Sequence, residues 1–396
     1  MKRDLYLVLT TQFLTAFADN AILFTAFAMI SRAGGYGDWY KPALQASFLV
    51  AFVVLAPWVG RFADQHAKSR VLSWGNALKA AGTLLLFAGV DPLVAYGVVG
   101  IGAAVYGPAK YGILPDLVGH DKLVKANGMI EGSTIVAIVL GAVIGAYVAD
   151  RSIGIALLLI AASYIVSLLA TLFIPKTATK PRAQGAAVAQ FIVMMRGFFT
   201  TSRARFAMLG AAIFWAAAVV LRVMMVAWAP AVLMTHDTSD IANLTVFIAI
   251  GIAIGAVVVP KLIPIDKLRR ARLSAYLMGF CILILGVTSD PWAAKAVLLL
   301  IGLTGGIFVV PINAALQEIG HRTIGAGGAV AIQNFFENLA MLAGTGLYSA
   351  ALTRHLDPVI AVLSLGVMVV VATAIIAWHL PKEPEPLPAA LTDEPD

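Results

Sequence analysis

Charge is scarce in this chain. Of its 396 residues only 12% are Asp, Glu, Lys or Arg, where a soluble protein carries about 25%. Hydrophobic residues make up 60%, and the mean hydropathy is +0.90. That balance excludes a soluble domain and places the chain in a bilayer. Cysteine is nearly absent: Cys281 stands alone in an apolar run, so no internal disulfide can form. The six histidines, His66, His120, His236, His321, His355 and His379, fall in loops or at helix ends. None sits beside a positioned carboxylate, so an acyltransferase or other enzyme is not expected, nor a metal or cofactor site. No A-x-A site follows the first apolar run, which is too long for a signal-peptide core, so no cleavable leader is expected. The net charge of +7 does not indicate nucleic acid, because the bases lie in short loops between apolar runs.

What is present is apolar length. Twelve runs of bilayer span follow one another, at 5–31, 43–60, 71–90, 92–116, 123–149, 153–174, 206–232, 241–263, 273–289, 292–316, 325–352 and 357–379. About 20 apolar residues at 1.5 Å each match the hydrocarbon thickness. The reading is an all-α membrane protein. Residues 1–174 form one six-helix bundle and 206–380 another. Between them, 175–205 is a cytoplasmic linker with an amphipathic piece near 190–199. The proline-rich tail 381–396 is expected to be disordered. With the N-terminus cytoplasmic, twenty Lys and Arg lie inside and five outside (Arg32, Lys41, Arg151, Lys295, Arg354), so both termini are expected inside.

The halves repeat. A shift of 203 residues carries Pro108 onto Pro311, a shift of 202 carries Arg70 onto Arg272, and a shift of 206 carries Glu131 onto Glu337. Six-helix halves of equal orientation are parallel repeats about an axis along the membrane normal, an architecture of transporters.

Polar residues inside the membrane are the functional candidates. Gln12, Thr15 and Asp19 recur at i, i+3 and i+7, so one face of the first helix carries all three. A carboxylate at that depth costs roughly 2.5–3.5 kcal/mol even on the lenient insertion scale, and normally faces a bundle interior or wet space. The bland reading is a helix–helix hydrogen bond. The 203-residue shift places Arg222 of the seventh run on Asp19, which gives the two halves one charge each, of opposite sign. Such a pair suits a zwitterionic or anionic headgroup, with a permanent ion pair as the alternative. Lys79, two turns from the inner surface, is read as snorkelling. Nearer the cytoplasm, Tyr106 and Lys110 lie one turn apart around Gly107-Pro108, which loosens the helix. Asn127 and Glu131 open the fifth run, and Lys110 and Glu131 stand at similar depth. With Asn313, Gln317, Gln333, Asn334, Glu337 and Asn338 of the second half they make an inner polar layer, which serves as gate, substrate path or both.

Gly60-Arg-Phe-Ala-Asp64-Gln-His-Ala-Lys68-Ser-Arg70 joins the second and third runs. Here Gly60 would allow close helix contact, Asp64 would cap or pair, and Lys68 and Arg70 would hold the orientation. The segment resembles the signature loop of the major facilitator superfamily, although position 67 is Ala where that superfamily usually has Gly. The match narrows through Gln12-Phe-Leu-x-Ala-Phe-x-Asp19-Asn20-Ala, Pro108-Ala-Lys110-Tyr111-Gly-Ile-Leu, Leu123-Val-Lys-Ala-Asn127-Gly, Phe214-Trp…Leu-Arg222 and Val309-Val-Pro-x-Asn313-Ala-x-Leu-Gln317-Glu318. These segments, drawn from both halves of the chain, are similar to those of the bacterial lysophospholipid transporter family. The resemblance implies a flippase of the inner membrane. It would carry lysophosphatidylethanolamine and related lipids inward for re-acylation, in functional association with a cytoplasmic-side acyltransferase. It also implies central-cavity roles for Asp19, Asn20, Lys110 and Arg222. A monomer among membrane lipids is expected. The competing function is a proton-coupled exporter of amphipathic small molecules, which the fifth run disfavours: it carries Gly141-Ala-Val-Ile-Gly145 and no Gly-Pro pair.

Overall fold

A computed structural model describes residues 2–114, 117, 123–175, 186–199, 202–235, 237–263, 265–323 and 326–378. The tail 381–396, residues 176–185 of the linker, and the side chains of Asp64, Asn127, Glu131 and Gln317 lie outside the described residues. Those described are almost wholly helical, with no strand among them.

The helices are α1 (Lys2–Ala33), α2 (Tyr40–Gln65), α3 (Lys68–Phe87), α4 (Pro92–Gly112), α5 (Leu123–Ala149) and α6 (Ile153–Leu172). A short α7 (Ala187–Phe198) follows, then α8 (Ser202–Leu233), α9 (Thr238–Leu262), a 3-10 turn (Ile265–Arg270) and α10 (Ala271–Gly286). The chain closes with α11 (Pro291–Thr323), α12 (Ala326–Leu352) and α13 (Pro358–Trp378). Each of the twelve apolar runs thus corresponds to a helix among the described residues. Among the described residues nine helices are both long and apolar enough to cross a membrane by themselves. The remaining three have identifiable reasons. α10 has only 16 residues. α3 carries Lys68, Arg70, Asn76 and Lys79, and α12 carries Gln333, Asn334, Glu337 and Asn338.

Two compact units divide the chain, Met1–Val188 with Asp237–Ala242, and Ala189–His236 with Asn243–Asp396. In the first, α1 packs on α5 and α6, α3 on α4 and α6, and α2 on α4. In the second, α8 packs on α12 and α13, and α10 on α11 and α13. Glycines of α9 and α11 bring those two helices together: Gly251 stands against the Leu299 carbonyl and Gly302 against that of Ile248. Advancing each helix number by seven converts the first set of pairings into the second, so the repeat read from the sequence extends to packing.

Without a hydrophobic force between helices in lipid, close approach depends on small residues. Gly141 and Gly145 of α5 do this for α1, against Phe17 and Ala21. Gly100 of α4 lies on the Phe48 backbone of α2, and Gly102 on that of Gly75 in α3. Gly60 differs from expectation: a side chain there would meet nothing within 4 Å, so it mediates no close helix contact. The segment around it is also less of a loop than the motif suggests, since α2 runs to Gln65 and α3 restarts at Lys68. α4 likewise continues through Gly107-Pro108 to Gly112.

Candidate substrate-binding site

Asp19 lies mid-way along α1, where the helix is packed on α5 and α6 and its neighbour Ala18 is fully buried. Its carboxylate is held from inside the first unit. The Lys79 ammonium of α3 donates to Oδ2 at 2.7 Å, and the Tyr164 hydroxyl of α6 donates to Oδ1 at 2.7 Å. The partners differ in access: the Lys79 side chain is 1% exposed and that of Asp19 22%. Lys79 Nζ also lies 4.8 Å from the ring centre of Tyr106 on α4 and 5.9 Å from that of Tyr164, within cation–π range. One charge pair and two aromatic rings therefore tie α1, α3, α4 and α6. Removing one partner of a buried pair typically costs about 3–5 kcal/mol, because the other charge is stranded.

This corrects the snorkelling reading of Lys79. A lysine reaches for the membrane surface only when its ammonium has no anion at depth, and Asp19 supplies one at hydrogen-bond distance. The signal was available. Asn76, Lys79 and Thr83 repeat on α3 the spacing of Gln12, Thr15 and Asp19 on α1, as two polar stripes made to face each other would.

One turn along the same stripes lies a second, neutral layer. The Thr15 hydroxyl donates to Asn76 Oδ1 at 2.9 Å, and Asn76 Nδ2 donates to Ser167 Oγ at 2.8 Å. The hydroxyls of Thr15 and Ser167 are 2.8 Å apart, and that of Ser167 donates to the Thr11 carbonyl at 2.9 Å. Ser167 and Tyr164 were not anticipated; with Thr171 they stripe α6 at helical spacing. Gln12 leaves this layer and donates to Thr134 of α5 at 2.9 Å.

Asn20 is partly exposed and donates to the Ala16 carbonyl at 2.9 Å, Tyr106 is buried, and Lys110 is partly exposed at the end of α4. Lys68 is buried, its aliphatic stem covering Gly112, whereas Arg70 is exposed. The structure thus joins Asp19 and Tyr106 through Lys79, and it gives Gln12 to a different helix pair.

In the second unit Arg222 is partly exposed on α8 between buried Leu221 and Val223. Gln333 of α12 donates to Asn313 Oδ1 of α11 at 3.0 Å and to Glu337 Oε1 at 2.7 Å. Glu337 is 7% exposed, and Asn338, also buried, donates to the Asn334 carbonyl at 2.7 Å. A polar layer with an acidic residue inside apolar helices therefore exists here too.

Residues 8–345 match the family model for the Major Facilitator Superfamily. Lysophospholipid transporter LplT of Photorhabdus laumondii is 39% identical over 384 residues, 96% of each chain. Its counterpart in Yersinia enterocolitica is 42% identical over 369 residues, 91% of this chain and 90% of the relative. Among solved structures, nucleoside transporter NupG superposes with a TM-score of 0.71 at 11% identity, over 95% of this chain and 97% of that one. The human organic anion transporter MFSD10 (TETRAN) gives 0.66 at 14%, over 94% and 99%. At such identities the structural likeness speaks for the fold alone. The match of family model and near-full-length relatives decides the rest: this multi-pass membrane chain belongs to the Major Facilitator Superfamily and, within it, to the LplT lysophospholipid transporters.

Proposed function

We propose that the chain flips lysophosphatidylethanolamine and related lysophospholipids from the outer to the inner leaflet of a bacterial inner membrane, for re-acylation on the cytoplasmic side. Both termini are inside, and the two six-helix bundles, 1–174 and 206–380, alternate access to a headgroup captured by acidic and basic side chains. The observation that carries this reading is a charged cluster buried in an apolar helix bundle of a chain about 40% identical to named lysophospholipid transporters. A fold needs no such charges, which are costly in hydrocarbon and mark substrate paths.

Within that reading, Arg222 takes the phosphate shared by all lysophospholipids, since its planar guanidinium offers paired donors to phosphate oxygens. Lys110, Tyr106, Asn20 and Gln12 complete the polar wall, and Asp19 brings its partly exposed carboxylate to it. The inner polar layer of Asn127, Glu131, Asn313, Gln317, Asn334 and Glu337 acts as gate, together with Asp64, Lys68 and Arg70. For the acyl chain, Phe13 beside Gln12 keeps partial exposure while Met225, one turn from Arg222, is fully buried, so Phe13 is the better wall. The test is uptake of labelled lysophosphatidylethanolamine by cells producing either wild type or Arg222→Ala at equal membrane levels. A loss of tenfold or more is expected, and undiminished uptake by the variant would sink the assignment.

A further inference from the structure

The sequence offered Asp19 to a positive group on the substrate. The structure shows a positive group already there. Both carboxylate oxygens have a donor from their own unit, at 2.7 Å each. Lys79 has less freedom than its partner: it is 1% exposed, against 22% for Asp19, and its other neighbours are the faces of Tyr106 and Tyr164. With Lys79 neutralised, Asp19 keeps its exposed edge and the Tyr164 donor, whereas with Asp19 neutralised, Lys79 keeps its 1% exposure and two ring faces. The dependence is therefore unequal.

We propose that Lys79 is the resident counter-ion of Asp19 and a positioning residue of the transport site. The two work as one neutral unit, and the carboxylate serves the ammonium built into the protein before any ammonium on the substrate. This rests on the transport reading above and deepens it. A neutral pair held by Tyr164 leaves substrate charge to the remaining cations, so the unit sets the site's shape and charge balance without selecting for an amine. It also gives a different cause for any loss of function in an Asp19 variant, namely a stranded Lys79.

The test uses the full-length protein as wild type, Asp19→Asn, Lys79→Met and the double variant, with rates normalised to protein in the membrane. Uptake is measured separately for lysophosphatidylethanolamine, which has an ammonium, and lysophosphatidylglycerol, which has none. Asp19→Asn is expected to lower uptake of both at least tenfold, and Lys79→Met to lower it less. The double variant is expected to carry both lipids at least threefold faster than Asp19→Asn, with the ratio of their KM values unchanged. A double variant as poor as Asp19→Asn would overturn the proposal, because the carboxylate would then be required for itself. Recovery confined to lysophosphatidylglycerol would overturn it as well, by giving Asp19 to the substrate ammonium. Should wild type carry neither lipid, the transport reading fails separately, and thermal unfolding of the purified variants decides the pairing. A double variant melting above Asp19→Asn supports the unit, and one melting at or below it refutes it.

Discussion

At Tyr164 a single hydroxyl separates a braced carboxylate from a loose one. Tyr164→Phe keeps the ring and the packing of a fully buried side chain but removes the donor to Asp19 Oδ1. A hydrogen bond to a charged group is worth about 1.5–3 kcal/mol, and the lower end is expected because the exposed edge of Asp19 admits water. Thermal unfolding in detergent checks the figure, and lysophospholipid uptake is expected to fall several-fold rather than vanish. Residues such as these were only half legible from sequence. Asp19 was conspicuous as an acid in an apolar run, and Arg222 emerged from the repeat. Lys79 was read as snorkelling, the ordinary explanation for a lysine two turns from the inner surface, and only the matching polar stripes of α1 and α3 hinted that the two helices face each other. Tyr164 gave still less signal, since an aromatic in a membrane helix is unremarkable until its hydroxyl finds a carboxylate 145 positions away.

Among the elements, α5 makes the packing argument testable within one helix. Gly141 lies against the Phe17 carbonyl of α1, and an added methyl has no room, whereas at Gly132 it would meet nothing within 4 Å. Alanine in a helix interior is otherwise favoured over glycine by about 0.8–1 kcal/mol. Gly141→Ala is therefore expected to lower the unfolding temperature, and Gly132→Ala to leave it unchanged or raise it; the reverse order would refute the close α1–α5 seam. Helix existence was the most legible feature, because the bilayer fixes run length. Hydropathy alone ranked α3 and α12 lower, and for a physical reason: Asn76 and Lys79 of α3 and Gln333 of α12 bond to neighbouring helices, and Glu337 accepts from Gln333 within α12. Gly60 and Gly141 show the limit of motif reading, since the glycine in the family signature meets open space and one outside it carries the seam.

For the whole molecule, the repeat was legible as three shifts of about 200 residues and reappears as matching helix pairings in the two units. Fold and family follow from that and from relatives about 40% identical over nearly the full chain. The claim that remains most consequential is that the purified chain itself moves a lysophospholipid across a bilayer. Reconstituted into liposomes, it would be offered labelled lysophosphatidylethanolamine from outside, and the fraction protected from extraction by albumin followed over time. Protection that rises well above that of protein-free liposomes, and that falls at least tenfold with Arg222→Ala, is the predicted result. Protection no faster than in protein-free liposomes, from protein shown to be folded, would contradict the account.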